Sequence, residues 1–313
     1  MVSHVVRRLL ATLPVMAMVA LIVFAMLRLT PGDPTAVLAG DMASAEQVAQ
    51  IRTLMGLDRP LHEQFVQWLL QLARGDLGVS LISQRPVTEL IADRLGPSLA
   101  LASGAIVLSV LVAVPLGVLA AARRGALLDR SVMGFSVLTF SVPVFLKAYL
   151  LIQLFSIDLG WLPVQGYKPL SDGFWPFAQR LVLPVIALSA AYTALIARIT
   201  RSSVLEVIGG DYVRTARAKG LDEVAVLMRH ALRNASVPIV TVIGIGIAML
   251  VGGVVVTESV FNLPGLGRLV VESVLAHDYP VIQGLILFFS LVYILVNLAI
   301  DLAYTVLDPR IRY

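Results

Sequence analysis

The chain has 313 residues, of which 58% are apolar and 14% charged, and its mean hydropathy is +0.88. This composition excludes an ordinary soluble domain, because a soluble helix needs one apolar stripe whereas a membrane-spanning helix needs about 20 consecutive apolar residues. The absence of cysteine excludes disulfides, thiolate metal sites and a cysteine nucleophile, and the net charge of +4 has to be interpreted by its position along the chain.

Six stretches contain no Asp, Glu, Lys or Arg, and we interpret them as membrane-spanning segments. Five are long enough to span alone, and the third continues past a single Lys147 to Ile157. The stretches are Leu9 to Leu27, Ser98 to Ala122, Ser131 to Leu146, Leu181 to Ala197, Ala235 to Thr257 and Tyr279 to Ile300. The sequence therefore predicts an all-α, polytopic membrane protein with six transmembrane helices and with both termini on one side.

The first stretch follows Arg7 and Arg8, as the apolar region of a signal peptide would. Its length of about 19 residues exceeds that of such a region, and no cleavage site of the Ala-x-Ala kind follows Leu27. We therefore interpret residues 1–28 as a cytoplasmic amino terminus and a retained first span.

Residues 29–97 separate the first two spans and are too numerous for a simple connector. Ser44-Ala45-Glu46-Gln47 has the pattern of a capping box and predicts one helix. Pro60 can open a second helix that stops at Gly75, and Pro86 can open a third. We expect a helical periplasmic segment. It is either a cap on the membrane surface or a docking face for an external partner.

Several predicted spans contain proline or closely spaced small residues. Each proline removes a backbone hydrogen bond that hydrocarbon cannot replace, so we expect a kinked bundle; these residues are Pro14, Pro115, Pro143 and Pro184. Gly244, Ala248 and Gly252 form a small-residue stripe that lets another helix approach closely, either within the chain or from a second subunit.

Basic residues indicate the orientation of the spans. Fourteen Lys and Arg residues fall in the segments on the side of the termini, and three fall in the short loops on the other side. Because Lys and Arg are retained on the cytoplasmic face, the termini and the loop of residues 198–235 are predicted to be cytoplasmic.

That loop contains the sequence DYVRTARAKGLDEVAVLMRHALRNASVP over residues 211–238. Residues 212–219 are predicted to form a short helix that stops at Gly220 in the left-handed conformation, with a hydrophobic contact from Leu221. Asp222 can cap a second helix, whose predicted apolar face consists of Val224, Leu227, Met228, Ala231 and Leu232.

The turn between these two helices has small side chains and a positively charged rim. Ala216, Ala218 and Gly220 leave it bare, and the surrounding charges are Arg214, Arg217 and Lys219. Such a turn is suited to insertion into the cleft of a partner. A basic amphipathic segment that lies on anionic headgroups has the same pattern, and both interpretations stay open at this point.

Polar residues within the predicted spans are candidates for a transport pathway. Lys147 is a basic residue well inside a span, where a charge indicates a functional site by default. It can face a pathway and meet a substrate carboxylate, or Pro143 can break the helix and place it in a wet crevice or against a headgroup. Ser189, Tyr192 and Thr193 either line the pathway or pack between helices.

Patterns typical of enzymes are absent from the sequence. His62-Glu63 begins like a zinc-protease helix, but Val66 stands where the second histidine is required. There is no Gly-x-Ser-x-Gly, and no Gly-Lys pair of a phosphate-binding loop. We therefore expect no catalytic, cofactor or metal site in this chain.

The loop motif resembles the cytoplasmic EAA loop of permease subunits from ATP-binding-cassette (ABC) importers of the dipeptide, oligopeptide and nickel branch. The similarity covers Asp211 to Leu221, then RHALRNA at residues 229–235, and Pro238. Further sequences similar to that branch are LRLTPGDP, MGLDRPL, ARGDLGVSL, GWLPVQGY, ESVFNLPGLGRL, DYPVIQG and LDPRIR. Where the wider superfamily has Glu-Ala-Ala, this chain has Arg214, Thr215 and Ala216, which weakens any transfer of the contacts of that glutamate.

The resemblance implies that a loop helix docks into ATPase subunits that hold ATP and magnesium. The residues implied in coupling are Tyr212, Arg214, Thr215, Ala216, Arg217, Lys219, Gly220 and Leu221. Residues 98–313 would be the permease core, with the loop of residues 198–235 inside it. The implied partners are two ABC ATPase subunits, a second homologous permease, a periplasmic or lipoprotein solute-binding protein and membrane lipid, without nucleic acid.

The implied location is the cytoplasmic (inner) membrane of a bacterium or archaeon, and the implied cargo is a dipeptide, oligopeptide, glutathione, nickel chelate, opine or sugar. The alternative is a self-sufficient secondary transporter or channel, which usually has repeated halves and charged residues at the membrane midplane. No internal repeat is visible in this sequence, and Lys147 is the one such charge.

Overall fold

The computed structural model describes residues 2–29, 44, 46, 53 and 58–307, with side chains described except at residues 2–11, 27–29, 248–253 and 303–307. Most of the helix predicted from the capping box at Ser44 lies outside the described residues, so it stays a prediction. Within the described ranges, β-type pairing is limited to one bridge between Val79 and Pro86. The prediction of an all-α fold is thereby confirmed.

The described helices follow the charge-free stretches and the predicted caps. In chain order they are α1 (Val2–Leu29), α2 (Leu61–Ala73), α3 (Val87–Ala122), α4 (Leu127–Ser141), α5 (Val144–Leu151), α6 (Phe174–Val207), α7 (Asp211–Ala218), α8 (Glu223–Asn234), α9 (Ser236–Val260), α10 (Leu266–Leu275) and α11 (Tyr279–Leu307). A π-helical turn, Ile152–Asp158, extends α5, and a second one, Val226–Ala231, lies inside α8.

Three of these helices are long and apolar enough to cross a membrane: α3, α6 and residues 279–302 of α11. Two bent pairs raise the number to as many as five. One pair is α4 with the extended α5, bent by 102°, and the other is α8 with the first part of α9, bent by 66°. Helix α1 has 28 residues. A membrane protein with several spans is confirmed, and the number of six spans stays a prediction.

Pro86 precedes a helix, as predicted, but that helix does not end before the membrane. Helix α3 runs for 36 residues through Pro97 and Pro115 without a break. The third helix of the predicted outer segment and the second predicted span are therefore one continuous element.

The chain forms two compact units, the first of residues 1–96 and 268–294 and the second of residues 97–267 and 295–313. In the first unit α2 follows Pro60, as the sequence predicts. The aromatic rings of Phe65 and Trp68 pack on the ring of Phe24 from α1, at centroid distances of 5.1 and 5.7 Å. Helix α2 thus packs on α1 through these two aromatic side chains.

A buried carboxylate in the same unit holds a loop that is distant in sequence. Asp278 is 4% exposed, and its oxygens accept hydrogen bonds from the Ser80 hydroxyl at 2.5 Å and from the Leu81 backbone N–H at 3.0 Å. The Ser80 hydroxyl oxygen also accepts from the Ser83 N–H at 2.9 Å. The segments ARGDLGVSL and DYPVIQG, which contain these residues, therefore meet in space although they are far apart in the chain.

In the second unit, the largest group of buried apolar residues joins α3, α5, α6 and the end of α9. It includes Leu101, Ala148, Leu183, Phe261 and Leu263. The Gly166 N–H donates to the Phe261 carbonyl at 3.0 Å, so GWLPVQGY packs against the VFNLPG turn. In α9, a Cβ on Gly244 would collide with the Ile300 side chain, which places this glycine at a close helix contact within the chain.

Four helices end with the same pair of backbone hydrogen bonds around a residue with positive φ. The residue is glycine after α2 and α7, at Gly75 (80°) and Gly220 (79°). It is Asn262 (52°) after α9 and His277 (54°) after α10. At all four ends the positive-φ residue and its successor donate backwards to carbonyls three and five positions earlier, which is the Schellman arrangement.

We predict that Asp278→Ala destabilises the first unit, because it removes the acceptor of one buried and one partly buried hydrogen bond. The expected loss of unfolding free energy is about 1 to 3 kcal/mol. Thermal denaturation of the purified protein in detergent, with amide exchange over residues 80–83, measures the effect. The exposed Asp58→Ala is the matched control, and unchanged exchange in Asp278→Ala would contradict this account.

Candidate functional site

The predicted turn of the basic loop is formed by backbone hydrogen bonds after α7. The Gly220 N–H donates to the Arg217 carbonyl at 2.9 Å, and the Leu221 N–H to the Ala216 carbonyl at 3.4 Å. Gly220 has φ of +79°, a conformation that side chains with a Cβ rarely adopt. The Asp222 side chain then accepts from the Ala225 N–H at 3.1 Å and starts α8. The structure thus forms both the predicted stop and the predicted cap.

A small apolar cluster fixes α7 to α8. It consists of Val213 and Ala216 on α7 and Val226 on α8, all at most 5% exposed. Ala216 therefore faces the interior, although the sequence places it among the bare residues of the turn. The other seven residues implied in coupling are exposed.

An ion pair closes the turn on its exposed side. Two guanidinium nitrogens of Arg217 donate to the two carboxylate oxygens of Glu223, at 2.7 and 3.0 Å. These hydrogen bonds lower the pKa of the Glu223 carboxyl below its ordinary value of 4.5. Arg214 lies 3.4 Å from Asp211, and both of these side chains are largely exposed. Of the three basic residues in the rim, Arg217 thus forms the close ion pair within the loop.

Apolar side chains are exposed beside these charges. Tyr212 is 43% exposed, Leu221 41%, Val224 68% and Met228 52%. We call these four residues the apolar patch. The ring of Tyr212 is held against Gly210, where a Cβ would lie 2.8 Å from the ring carbon Cε1. A segment that exposes large apolar side chains next to positive charge is typical of a surface that another molecule covers.

The apolar patch includes two residues that the sequence assigns to the inner face of α8. A regular α-helix would bury Val224 and Met228 together with Leu227 and Ala231. The π-helical turn over residues 226–231 adds a residue to the helical turn and thereby changes which side chains face inward, so that Val226 is buried instead. The predicted face is therefore correct for Leu227 and Ala231 and wrong for Val224 and Met228.

The inner side of α8 is part of the protein core. Leu227, Ala231 and Ala235 pack in one buried cluster with Val118 and Ala121 of α3, Val204 of α6 and Ile239 of α9. The segment therefore has one face open to a partner and another face embedded among three long helices.

Lys147 lies in the first turn of α5, just after the break that Val142 and Pro143 form between α4 and α5. Its ammonium group donates to the Thr139 carbonyl at 3.2 Å, one of the carbonyls left without a helical partner at the end of α4. This agrees with a helix broken at Pro143. No ion pair to Lys147 is found in the described part of the chain.

The other pathway candidates lie on α6. Ser189 is 3% exposed; its hydroxyl donates to the Ile186 carbonyl at 3.2 Å, and its carbonyl accepts from the Ser109 hydroxyl at 3.1 Å. Thr193 lines a cavity of about 230 Å³ between α3, α4 and α6. Tyr192 packs within the second unit, close to Gly246. The hydroxyl and the carbonyl of Ser189 are thus both used in hydrogen bonds within the chain. Thr193, in contrast, borders the cavity.

A buried glutamate was not anticipated from the sequence. Glu258 is fully buried and accepts from the Ser98 hydroxyl at 2.5 Å, while the Ser98 oxygen accepts from the Leu266 N–H at 2.7 Å. A Cβ on Gly265 would overlap the carboxylate. The sequence signal was a single acidic residue at the end of a charge-free stretch, followed by Pro264 and two glycines. In the described ranges no three His, Cys, Asp or Glu residues are grouped as a metal site would need.

Two family descriptions match the chain. "Binding-protein-dependent transport system inner membrane component" matches residues 113–313, and the corresponding amino-terminal description matches residues 1–102. A "Probable peptide ABC transporter permease protein" of Sinorhizobium fredii is 51% identical over 310 residues, covering 99% of each chain. A "Glutathione transport system permease protein" of Salmonella paratyphi A is 45% identical over 313 residues, covering 100% of each chain.

Among solved structures, a chain from the inward-facing MetNI methionine ABC transporter has a similar fold. The TM-score is 0.59 and the identity 18%, with 71% of this chain and 97% of that chain covered. At that identity the similarity concerns the fold alone.

We predict that the Arg217–Glu223 pair makes the turn sensitive to acid. A carboxyl whose pKa is lowered by folding stabilises the folded turn above its ordinary pKa of 4.5, and this contribution is lost as the pH falls through the lower folded value. Carboxyl NMR of Glu223 should therefore give a titration midpoint below 4.5, which returns to an ordinary value in Arg217→Gln. Arg214→Gln is the control and should leave the midpoint unchanged.

Proposed function

Because the chain belongs to the family of binding-protein-dependent transport system inner membrane components, we propose that it forms half of the solute pathway of an ATP-driven importer and receives movement from the ATPases through residues 211–221. The chain is thus a permease subunit of the ABC type. A self-sufficient transporter or channel is not favoured. Relatives that match over the full length are named as a permease protein of a peptide ABC transporter and as a permease protein of a glutathione transport system.

One observation supports this role for the loop above the others: α7 and α8 expose the apolar patch and a positive rim while their inner side is packed among α3, α6 and α9. A segment that only lay on headgroups would need its apolar side toward lipid, and it would not need a fixed turn. Coupling requires that a contact differ between two states of the partner, and a rigid segment can respond to such a difference.

The sequence supports ATPase activity on separate subunits, because this chain lacks the Gly-Lys pair of a phosphate-binding loop. ATP and magnesium then belong to two partner ATPases. A second, homologous permease completes the pathway, and a periplasmic or lipoprotein solute-binding protein delivers the cargo to the outer segments. Membrane lipid surrounds the assembly.

We assign a peptide-like cargo, following the names of the relatives, which refer to peptides and to glutathione. Such solutes carry carboxylates. Lys147 has three N–H donors, one of which is used by the Thr139 carbonyl, so its ammonium group can also meet a carboxylate. Thr193 is the α6 candidate that borders a cavity, and Ser189 and Tyr192 are retained as pathway candidates with weaker support.

The proposed organisation is residues 1–28 as cytoplasmic terminus and first span, residues 29–97 as periplasmic segment and residues 98–313 as permease core in the inner membrane. The loop of residues 198–235 and both termini are then cytoplasmic, in agreement with the excess of basic residues. Within this scheme α3 continues from the outer segment into the core.

We predict that Gly220→Val abolishes ATP-driven uptake while the protein still inserts into the membrane. A β-branched residue at φ +79° is strained by about 1 to 2 kcal/mol or more, so the turn cannot keep its shape. Gly220→Asn is the matched control, because asparagine tolerates this conformation, and it should retain most uptake. Uptake in vesicles holding the whole importer is the measurement, and normal uptake by Gly220→Val would refute the docking proposal.

The proposed orientation can be tested directly, because the chain contains no cysteine. A single exposed cysteine introduced by Lys219→Cys should react with a membrane-impermeant maleimide in inside-out vesicles and not in spheroplasts. Arg85→Cys, in the outer segment, should show the opposite pattern. Labelling of Lys219→Cys from the outside would overturn the orientation.

A further inference from the structure

The carboxyl-terminal part of α6 contacts three other helices within about one turn. Thr200 lies against Gly117 of α3, where a Cβ would be 2.6 Å from the Thr200 Cβ, so the approach requires glycine. Val204 is fully buried in the cluster that contains Leu227 and Ala231 of α8. Residues 200–204 are therefore packed both on the long helix α3 and on α8, which together with α7 we call the coupling loop (residues 211–234).

The third contact at this level is an ion pair with α4. The Nε and Nη2 atoms of Arg201 each donate to one oxygen of Asp129, the second at 2.8 Å. The Gly125 N–H adds a bond to the same carboxylate at 2.9 Å, and Asp129 is 4% exposed. The planar two-bond arrangement fixes the orientation of α6 relative to the start of α4.

The position of this pair in the chain links it to the loop. Helix α6 ends at Val207 and α7 begins at Asp211, so a displacement of α7 and α8 acts directly on the end of α6. On the other side, α4 leads to the break at Val142–Pro143 and to Lys147. The pair is thus the polar connection between the helix that enters the loop and the helix that leads to a pathway candidate.

One buried polar atom lies in this turn of α6, next to Arg201 in the sequence. Thr200 has no exposed surface, and its hydroxyl oxygen has no hydrogen-bond partner among the residues that the structure describes. A buried polar atom without a partner raises the energy of the conformation that contains it.

We propose that the Asp129–Arg201 pair transmits movement of the coupling loop from α6 to α4, so that these two side chains are positioning residues for ATP-driven transport. The inference rests on the proposed function, because it requires the loop to be the entry point of that movement. It adds the route by which the movement reaches the pathway helices. Loss of the two-bond geometry uncouples the loop from α4 and leaves the docking of the ATPases unchanged.

The test uses the complete importer in vesicles and compares solute accumulated with ATP hydrolysed. The probe is a labelled dipeptide or labelled glutathione, whichever the unmodified complex accumulates. Arg201→Lys keeps the charge and loses the planar fork. We expect the ratio of solute to ATP to fall by about fivefold or more, taking as a guide the lower end of the affinity changes that couple two sites. The exposed Arg130→Lys, next to Asp129 in sequence, is the matched control and should keep the ratio.

Assembly is measured in parallel by the amount of ATPase that co-purifies with each variant, which should equal that of the unmodified complex. If Arg201→Lys does not assemble, Asp129→Asn replaces it, since it keeps the shape and removes the charge. Uptake and hydrolysis that fall together with an unchanged ratio would show a merely structural pair and overturn the inference. An unchanged ratio at full activity would do the same.

Gly220→Val in the same vesicles separates the two proposals. If it abolishes uptake while the Asp129 and Arg201 variants keep the ratio, the loop couples and the pair does not transmit. If Gly220→Val has normal uptake, the proposed function itself fails.

Discussion

Hydrocarbon offers no hydrogen-bond partner, so each backbone group that is freed at a helix end or break inside the membrane has to be satisfied from within the protein. The ammonium group of Lys147 covers a carbonyl at the α4–α5 break, and the Ser98 hydroxyl receives the first N–H of α10. Backbone bonds around Asn262 close the end of α9. Side chains from other parts of the chain thus satisfy backbone groups at the end of α4 and at the start of α10.

Local information was sufficient for much of the fold. Charge-free stretches indicated the long helices, and prolines and glycines correctly predicted the start of α2 and the end of α7. The turns at Asn262 and His277 use the same geometry, but neither residue favours positive φ strongly enough to be recognised without its surroundings. The Arg201–Asp129 pair joins positions 72 apart and could not be inferred from spacing. What the sequence could not supply was information on long-range contacts.

For the candidate site the sequence predicted the segment and its boundaries better than its faces. The stop at Gly220 and the cap at Asp222 are formed as expected, because each depends on a few neighbouring residues. Ala216 faces inward because it packs on Val213 and Val226. The assignment of Val224 and Met228 to the interior failed because a regular period was assumed through a turn that has an extra residue. A cap depends on a few adjacent residues, whereas the direction in which a helical side chain points depends on the winding of all the residues before it.

The π-helical turn in α8 has a consequence for how such loops diverge. Removing one residue between 226 and 231 would restore regular winding and turn the preceding part of the helix by about 100° relative to the rest. Side chains such as Val224 would then swing toward the core without any change in their identity. A single-codon deletion would thereby change the composition of the apolar patch, a shorter evolutionary route than stepwise replacement of each exposed residue.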